Sequence, residues 1–418
     1  MGKTDSKVNE VERRKFANKS ARQEYRQKDS TSEKELKQDQ SDKSGNPGLS
    51  LDSDRRSALP LSDPAFSKEN HLRVLNKTLG SDRYQGQRQL EFIAECAKEA
   101  NFTATGKPFK KFPRDYFEKS GIYNLFQKYL SGNVGKGCNL TKKETSVILN
   151  LLKTCQPSVD FLAAAITGVP GSGKSTLLKK IQSSKVFNSC VVLCNETHKV
   201  SYNQIPATYT AKEILLLPYD HIRFDVLFVD EYTLVTAGEI LLLQRKLGAK
   251  IVVVFGDRSQ GSSANAGSPE WLVFPVVYCS TNSYRCGKAT AKFCKCQGID
   301  FEPNSEIEDQ VEIKDYEGYS EPTEANIVFS EDTRRDLQSC NIGSSLIVDI
   351  QGCEFESVTV FIRAKDLEAF NNSHDRTVGL TRHRSKIIFR VEQEIRETVE
   401  NGQGAAQYRP ATYRYGPQ

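Results

Sequence analysis

The residues with the clearest capacity for chemistry lie in GVPGSGKS, from Gly168 to Ser175. Gly168, Gly171 and Gly173 permit backbone angles that a Cβ would block, so successive N–H groups can converge on one anion. Val169, Pro170 and Ser172 complete the loop, and a helix beginning after Gly173 would aim its positive dipole end at the same point. Lys174 could then reach the terminal phosphates of a nucleoside triphosphate, and Ser175 could hold Mg²⁺ through its hydroxyl, with Thr176 the weaker second candidate. ATP and Mg²⁺ are the expected cofactors. A bare GxxxxGKS can also be an ordinary glycine turn. Here the apolar run Phe161 to Ile166 precedes it and a helix-forming segment follows, which is the order a phosphate cradle needs.

A second chemical group ends the run FDVLFVDEYTLV, Phe224 to Val235. Its apolar strand closes on two adjacent carboxylates, Asp230 and Glu231. In a parallel sheet the carboxyl ends of the strands share one edge with the phosphate loop, so the pair would face the nucleotide. Asp230 would orient Mg²⁺ and its waters, and Glu231 would polarise an attacking water. The plainer alternative is a helix-capping pair. A third strand, Lys250 to Phe255, empties into GDRSQ, where Gln260 could sense the γ-phosphate; the same five residues could equally be an Asx turn built on Asp257.

These groups require elements to hold them. After Pro157 the chain alternates short apolar strands with helical segments, which predicts an α/β fold with helices on the faces of a parallel sheet. The first such domain spans 156–275. A second, 276–400, has strands expected near Val276 to Cys279, Asn326 to Phe329, Ser345 to Asp349, Val358 to Arg363 and Lys386 to Val391. Between the first two of these lies the acidic stretch Pro303 to Glu324, read as a solvated loop or an acidic surface for partner proteins. Residues 401–418 read as a flexible tail.

The N-terminal third differs in composition. Residues 1–70 lack a hydrophobic period and read as a disordered arm with a basic tip: the first 28 residues carry nine Lys and Arg against four Asp and Glu. Arg13, Arg14 and Lys15 in that tip could neutralise RNA phosphates or address the protein to the nucleus. Residues 71–155 regain apolar content and read as a small, mainly helical module. Its 15 basic residues against seven acidic ones give +8, more than the whole chain's +5, so the positive charge is concentrated. Within KPFKKFPRDYFEKS, Lys107, Lys110, Lys111 and Arg114 interleave with aromatics, a pattern suited to single-stranded nucleic acid, in which cations follow the backbone and rings stack on bases. The competing reading makes the rings core and lets the lysines snorkel.

No apolar run approaches the roughly 20 residues that cross a bilayer, and the charged N-terminus lacks a signal-peptide core, so no membrane insertion is expected and a cytosolic or nuclear setting is. Eleven cysteines, an odd number without a framework, read as free thiols; Cys286, Cys294 and Cys296 lack a fourth zinc ligand nearby.

The ordered set GVPGSGKST, VDEY, GDRSQ, Tyr284–Arg285, IQGCEF (Ile350 to Phe355) and VGLTRHR (Val378 to Arg384) resembles superfamily 1 RNA helicases of the alphavirus-like group. With its basic module and arm, and without methyltransferase or polymerase segments, the chain looks like the helicase-like first proteins of plant-virus triple gene blocks, in the large, hordeivirus-like form. The resemblance covers about 158–395 and implies two RecA-like domains with ATP in the cleft between them. It further implies that Lys174, Glu231, Gln260, Arg285 and Arg382 act in catalysis, with Arg384 competing with Arg382. Gln351 and Gly352 would couple the second domain to ATP and nucleic acid. Cys194 to Thr210 takes the place of the first RNA-contacting motif and matches it poorly; Thr208 and Thr210 are its RNA candidates. What the resemblance implies biologically is an NTPase that carries single-stranded viral RNA as a ribonucleoprotein through the host cytoplasm to plasmodesmata, with the two small membrane proteins of the block and with self-association. A replicative helicase and a non-enzymatic RNA-packaging factor with a regulatory ATP site are the alternatives.

Overall fold

The computed structural model describes residues 85–113, most of 141–150, and 160–402 apart from 195, 218–221, 236, 261–273 and 319–321. These residues all belong to one contact unit, Pro64–Gln418. The arm, its basic tip, the 401–418 tail beyond residue 402 and the middle of the basic module lie outside the described residues.

Helix α1 (Gln85–Glu99) leads into two short strands, β1 (Thr103–Ala104) and β2 (Lys110–Phe112). There follow β3 (Phe161–Gly168), α2 (Lys174–Ser183), β4 (Ser189–Leu193), β5 (Thr208–Thr210), α3 (Ala211–Leu216), β6 (Val226–Asp230), α4 (Ala237–Leu247), β7 (Ile251–Gly256) and β8 (Val276–Ser280). Strands β8, β3, β7, β6, β4 and β5 lie side by side in that order, all parallel. Runs such as VLFV (226–229) and IVVVF (251–255) are apolar at every position because helices cover both faces. Leu227, Val229, Val252 and Val254 meet Ile214 of α3 and Ile240 of α4 on one face. Phe228, Ile251, Val253 and Phe255 meet Phe92 of α1 and Leu177 and Leu178 of α2 on the other.

Two expectations change in the first sheet. Val276–Ser280, assigned from sequence to the second domain, pairs in parallel with β3, Thr167 opposite Cys279. Its apolar side chains find their cover in the first core, where Val277 and Tyr278 are buried. Nor do the described residues of the basic module form a body of their own. β1 adds antiparallel to β8, β2 adds antiparallel to β3 with Phe112 opposite Phe161, and Phe92, Ile93, Cys96 and Ala97 of α1 join the sheet's core.

The second sheet is assembled from α5 (Lys288–Cys296), β9 (Gln310–Asp315), β10 (Ala325–Val328), α6 (Glu331–Ser339), β11 (Ser345–Leu346), β12 (Phe355–Ile362), α7 (Leu367–Asn371), α8 (Ser373–Leu380), β13 (His383–Val391) and α9 (Arg396–Asn401). Its order is β11-β10-β12-β13-β9, parallel throughout. The acidic stretch is thus only partly loop. Val311 and Ile313 alternate with charged residues and pack on the second core, so Gln310–Asp315 becomes an edge strand. Asp309 beside it accepts from the backbone N–H groups of Gly287 (2.9 Å), Ala289 (2.9 Å) and Thr290 (3.0 Å), capping α5 where the helix dipole favours a carboxylate.

The cysteines among the described residues are free, and no group of three or more potential metal ligands occurs among them. No described helix is long and apolar enough to cross a membrane.

Candidate nucleotide site

Strands β3, β6 and β7 run parallel, so Gly168, Asp230 and Gly256 end on one edge of the first sheet, and every chemical group singled out in this half lies just beyond it. The loop after β3 turns through Gly171 (φ +71°) and Gly173 (φ +86°), both left-handed. At Gly171 the need for glycine is double, because a Cβ there would stand 2.5 Å from Cβ of Arg285, on the chain leading into the second sheet. The Tyr284 N–H donates to Gly171 O at 2.8 Å, and the half-exposed Tyr284 ring flanks Gly173. Pro170 and Ser172 are buried, Val169 packs on the second core, and Thr176 points to solvent.

Lys174 is buried, and its ammonium donates to Gly168 O (2.8 Å), Val169 O (3.0 Å) and Ser172 Oγ (3.4 Å). Burial pushes its pKa down, against the upward pull of Asp257, Glu231 and Asp230. A desolvated ammonium held by neutral oxygens is stabilised by an arriving anion. Ser175 donates its hydroxyl to Asp230 Oδ2 at 3.0 Å, so the two candidate metal ligands are already adjacent. Asp230 is buried, and desolvation together with neighbouring Glu231 raises its pKa, while hydrogen bonds from Tyr202 and Ser175 and the charge of His198 oppose the rise. A buried carboxylate with raised proton affinity, as Asp230 has, is what a divalent cation relieves, and with the Ser175 hydroxyl beside it the donor set fits Mg²⁺. Glu231 sits at φ 50°, ψ 46°, left-handed for a residue with a side chain, which turns its carboxylate off the strand axis into the cleft.

The GDRSQ turn is an Asx turn, and the same aspartate also holds Gln260. Asp257 Oδ1 accepts from the Ser259 N–H (2.9 Å) as an Asx turn does, and Asp257 Oδ2 accepts from Gln260 Nε2 (3.1 Å), fixing the Gln260 side chain within the cleft. Arg258 locks the loop from behind, donating to Phe274 O at 3.0 Å.

The second half reaches the same place. Arg382, 2% exposed, donates through Nη2 to Gln260 Oε1 at 3.0 Å; burial, with Arg285 nearby, lowers its pKa to about 10. Arg384 instead turns outward to Glu354 at 3.0 Å. Arg285 also pairs with Glu354 (2.8 Å) and donates to Thr381 O (2.9 Å). Gln351 Nε2 donates to Thr233 Oγ1 (3.0 Å), Gln260 O (3.2 Å) and Glu231 Oε2 (3.3 Å). Lys174, Asp230, Glu231, Gln260, Arg285, Gln351 and Arg382 therefore meet at one seam between the sheets.

Sequence reasoning missed two residues of this seam, Tyr202 and His198. Tyr202 donates to Asp230 Oδ2 at 2.6 Å, and His198 Nε2 contacts Gln351 O at 2.9 Å. Both lie in the 3-10 segment Glu196–Tyr202. The only hint was that CNETHKVSYNQ departs from the helicase pattern just where a functional segment was due.

The RNA candidates scatter. Lys107, Lys110 and Lys111 are exposed, Lys111 pairing with Asp160 at 2.9 Å. The ring between them and the next turn is not available for stacking on bases: Phe112 is fully buried against Phe161, centroids 5.3 Å apart. Of the interleaved pattern, the described part obeys the core reading. Thr210 caps α3, its Oγ1 accepting from the Glu213 N–H at 3.2 Å in a capping box, and Thr208 donates to Ile205 O at 3.0 Å. Their hydroxyls are thus engaged in local structure, because the turn into α3 needs a cap. Arg13, Arg14, Lys15 and Arg114 lie outside the described residues.

A family model described as the viral superfamily 1 RNA helicase core domain matches residues 164–391. Among similar proteins, a movement protein TGB1 from Potato mop-top virus (isolate Potato/Sweden/Sw) is 49% identical over 340 residues, covering 81% of this chain and 73% of that one. Another from Peanut clump virus (isolate 87/TGTA2) is 44% identical, covering 76% and 71%. A third, from Barley stripe mosaic virus, is 38% identical, covering 75% and 58%.

Proposed function

Because the chain belongs to the viral superfamily 1 RNA helicases and, among them, to the TGB1 movement proteins, the helicase-like first proteins of plant-virus triple gene blocks in the hordeivirus-like form, we propose that it hydrolyses ATP in the seam and uses the cycle to hold and release viral RNA. The observation that carries this reading is that Arg382 reaches Gln260 and Gln351 reaches Glu231 across the seam, on the edge that also carries Lys174. The loop N–H groups of Gly168 to Thr176 and Lys174 would grip the phosphates. Ser175 and Asp230 would hold Mg²⁺, which when bound offsets phosphate charge. Glu231 polarises the attacking water, Gln260 orients beside it, and Arg382 supplies positive charge where the phosphoryl group leaves. Arg285 exchanges Glu354 for the nucleotide's anionic oxygens as the lobes, 156–275 with β8 and the remainder to 400, close. Hydrolysis removes the anion and the lobes part.

RNA would be gathered by the basic tip (Arg13, Arg14, Lys15) and by Lys107, Lys110, Lys111 and Arg114, with affinity falling as salt rises. The complex, with copies self-associated along the RNA, would travel through the host cytoplasm to plasmodesmata with the two small membrane proteins of the block. The test compares RNA-stimulated ATP turnover and RNA retention for the full chain and Lys174→Ala. Expected is a loss of turnover of about a hundredfold or more with RNA binding kept. Equal turnover in both would sink hydrolysis at this site; negligible turnover in both with RNA coating intact would favour a packaging role.

A further inference from the structure

The 3-10 segment Glu196–Tyr202 touches both sides of the seam. At its end Tyr202 donates to Asp230. Nearer its start His198, 7% exposed, brings Nε2 to 2.9 Å from the carbonyl of Gln351 in the second lobe. Facing the ring is Gly352, with φ +84°, where a Cβ would stand 2.0 Å from His198 Cε1 and 2.2 Å from Nε2. Imidazole and absent side chain therefore occupy the same space. The seam admits the ring only because position 352 is glycine, and the left-handed turn that presents the Gln351 carbonyl needs glycine as well. A carbonyl fixed in this way fixes its residue, and the Gln351 amide then reaches Thr233, the Gln260 carbonyl and Glu231.

Given the hydrolytic reading of the seam, on which this rests, we infer that His198 is a positioning residue. It pins Gln351 of the second lobe so that its amide orients the Glu231 carboxylate, making lobe closure and alignment of the water-polarising group one event. His198 acts through Gln351. A group that merely filled space would be replaceable by any polar residue of similar size, whereas one that pins a carbonyl needs a donor where Nε2 stands. Glutamine places its amide nitrogen there; asparagine places it where Nδ1 stands.

Turnover (kcat and KM) and equilibrium binding of a fluorescent ATP analogue, measured on the full chain carrying His198→Gln, His198→Asn or His198→Ala, separate the cases. The Gln variant should stay within about threefold of the unaltered chain, while Asn and Ala lower kcat about tenfold and leave nucleotide Kd within about threefold, because the phosphates are gripped elsewhere. Equal kcat in the Gln and Asn variants, or an Ala variant as active as the unaltered chain, overturns the inference. A second measurement reads the seam without turnover. Thr197 Oγ1 lies 3.8 Å from Cys353 Sγ, so Thr197→Cys should crosslink positions 197 and 353 under mild oxidant, detected by peptide mass. Because the ring also hydrogen-bonds the Cys353 thiol and lowers its pKa, the comparison is between variants that both lack the ring: His198→Asn should slow that crosslink severalfold relative to His198→Gln, and equal rates overturn the inference. An unaltered chain that turns over no faster than Lys174→Ala sinks the hydrolytic reading alone, since the crosslink still reports on His198.

Discussion

At the scale of single residues, the question left open by VGLTRHR is which arginine serves the cleft. Burial and partner separate them: Arg382 is 2% exposed and bonded to Gln260, whereas Arg384 is exposed and paired with Glu354. An arginine desolvated beside developing negative charge contributes far more than one at the surface. Arg382→Gln should therefore lower kcat about a hundredfold with little change in nucleotide affinity, and Arg384→Gln should lower it by less than about threefold. Steady-state kinetics paired with nucleotide binding checks both; similar losses in the two variants would mean that burial in the cleft does not set Arg382 apart from its neighbour. Tyr202 poses a subtler case. Its phenol takes one acceptor of Asp230 at 2.6 Å, and burial drives its pKa far up with the help of the Asp230 charge, so it remains a donor across the working pH range. Tyr202→Phe frees that acceptor and should change the Mg²⁺ dependence of turnover several-fold, with nucleotide affinity less affected.

At the scale of elements, the stretch from Lys107 to Phe112 shows what sequence can and cannot say. Lysine and aromatic positions alternate there, and alternation alone does not tell a stacking platform from an edge strand with one face buried. The pairing of β2 with β3 decides it, because Phe112 falls opposite Phe161 and enters the first core. Phe112→Ala should cost about 3–5 kcal/mol of stability by emptying that core site, seen as a lower denaturation midpoint. Replacing Lys107, Lys110 and Lys111 together by Gln should leave the midpoint within about 1 kcal/mol. The same triple change should flatten the salt dependence of RNA binding by about two in log–log slope. An unaltered slope would take these lysines off the RNA. The motifs were legible because phosphate loop, strand-end carboxylates and turn each obey local rules within a few residues. What escaped was long-range pairing: β8 joining the first sheet, α1 covering it, and the acidic stretch folding into β9, none of which has a partner nearby in sequence. His198 and Tyr202 escaped for the same reason, since their partners Gln351 and Asp230 lie 153 and 28 residues away.

For the whole molecule, the seam has to survive the pH at which its groups change charge, and His383 sets one limit. It begins β13 next to Arg382, is fully buried, and shares a hydrogen bond of 2.7 Å with Thr290 Oγ1. Burial, aided by Arg285 and Arg382 and opposed by Asp309, lowers its pKa from 6.5 to about 4. Between those values the unfolded chain binds a proton that the folded chain refuses, so stability is complete above pH 6.5 and is lost as pH falls toward about 4. The full loss is about 3 kcal/mol, at 1.36 kcal/mol for each unit of the shift. Asp230 and Asp257 act in the opposite direction: burial raises both, so in the window just above an ordinary aspartate value the folded chain binds the extra proton and acidification there favours folding. Asp375, pushed by burial up to about 6, likewise takes up its proton first in the folded chain and so offsets the His383 loss over part of the same range. The His383 contribution is read as a difference: by circular dichroism from pH 7 to 4, the denaturant midpoint of the unaltered chain should fall relative to that of His383→Gln, which cannot take up the proton. Turnover should fail over the same range, since disordering the start of β13 takes Arg382 away from Gln260. A His383→Gln chain whose midpoint falls with pH as steeply as the unaltered one would show that the acid sensitivity of the fold originates elsewhere.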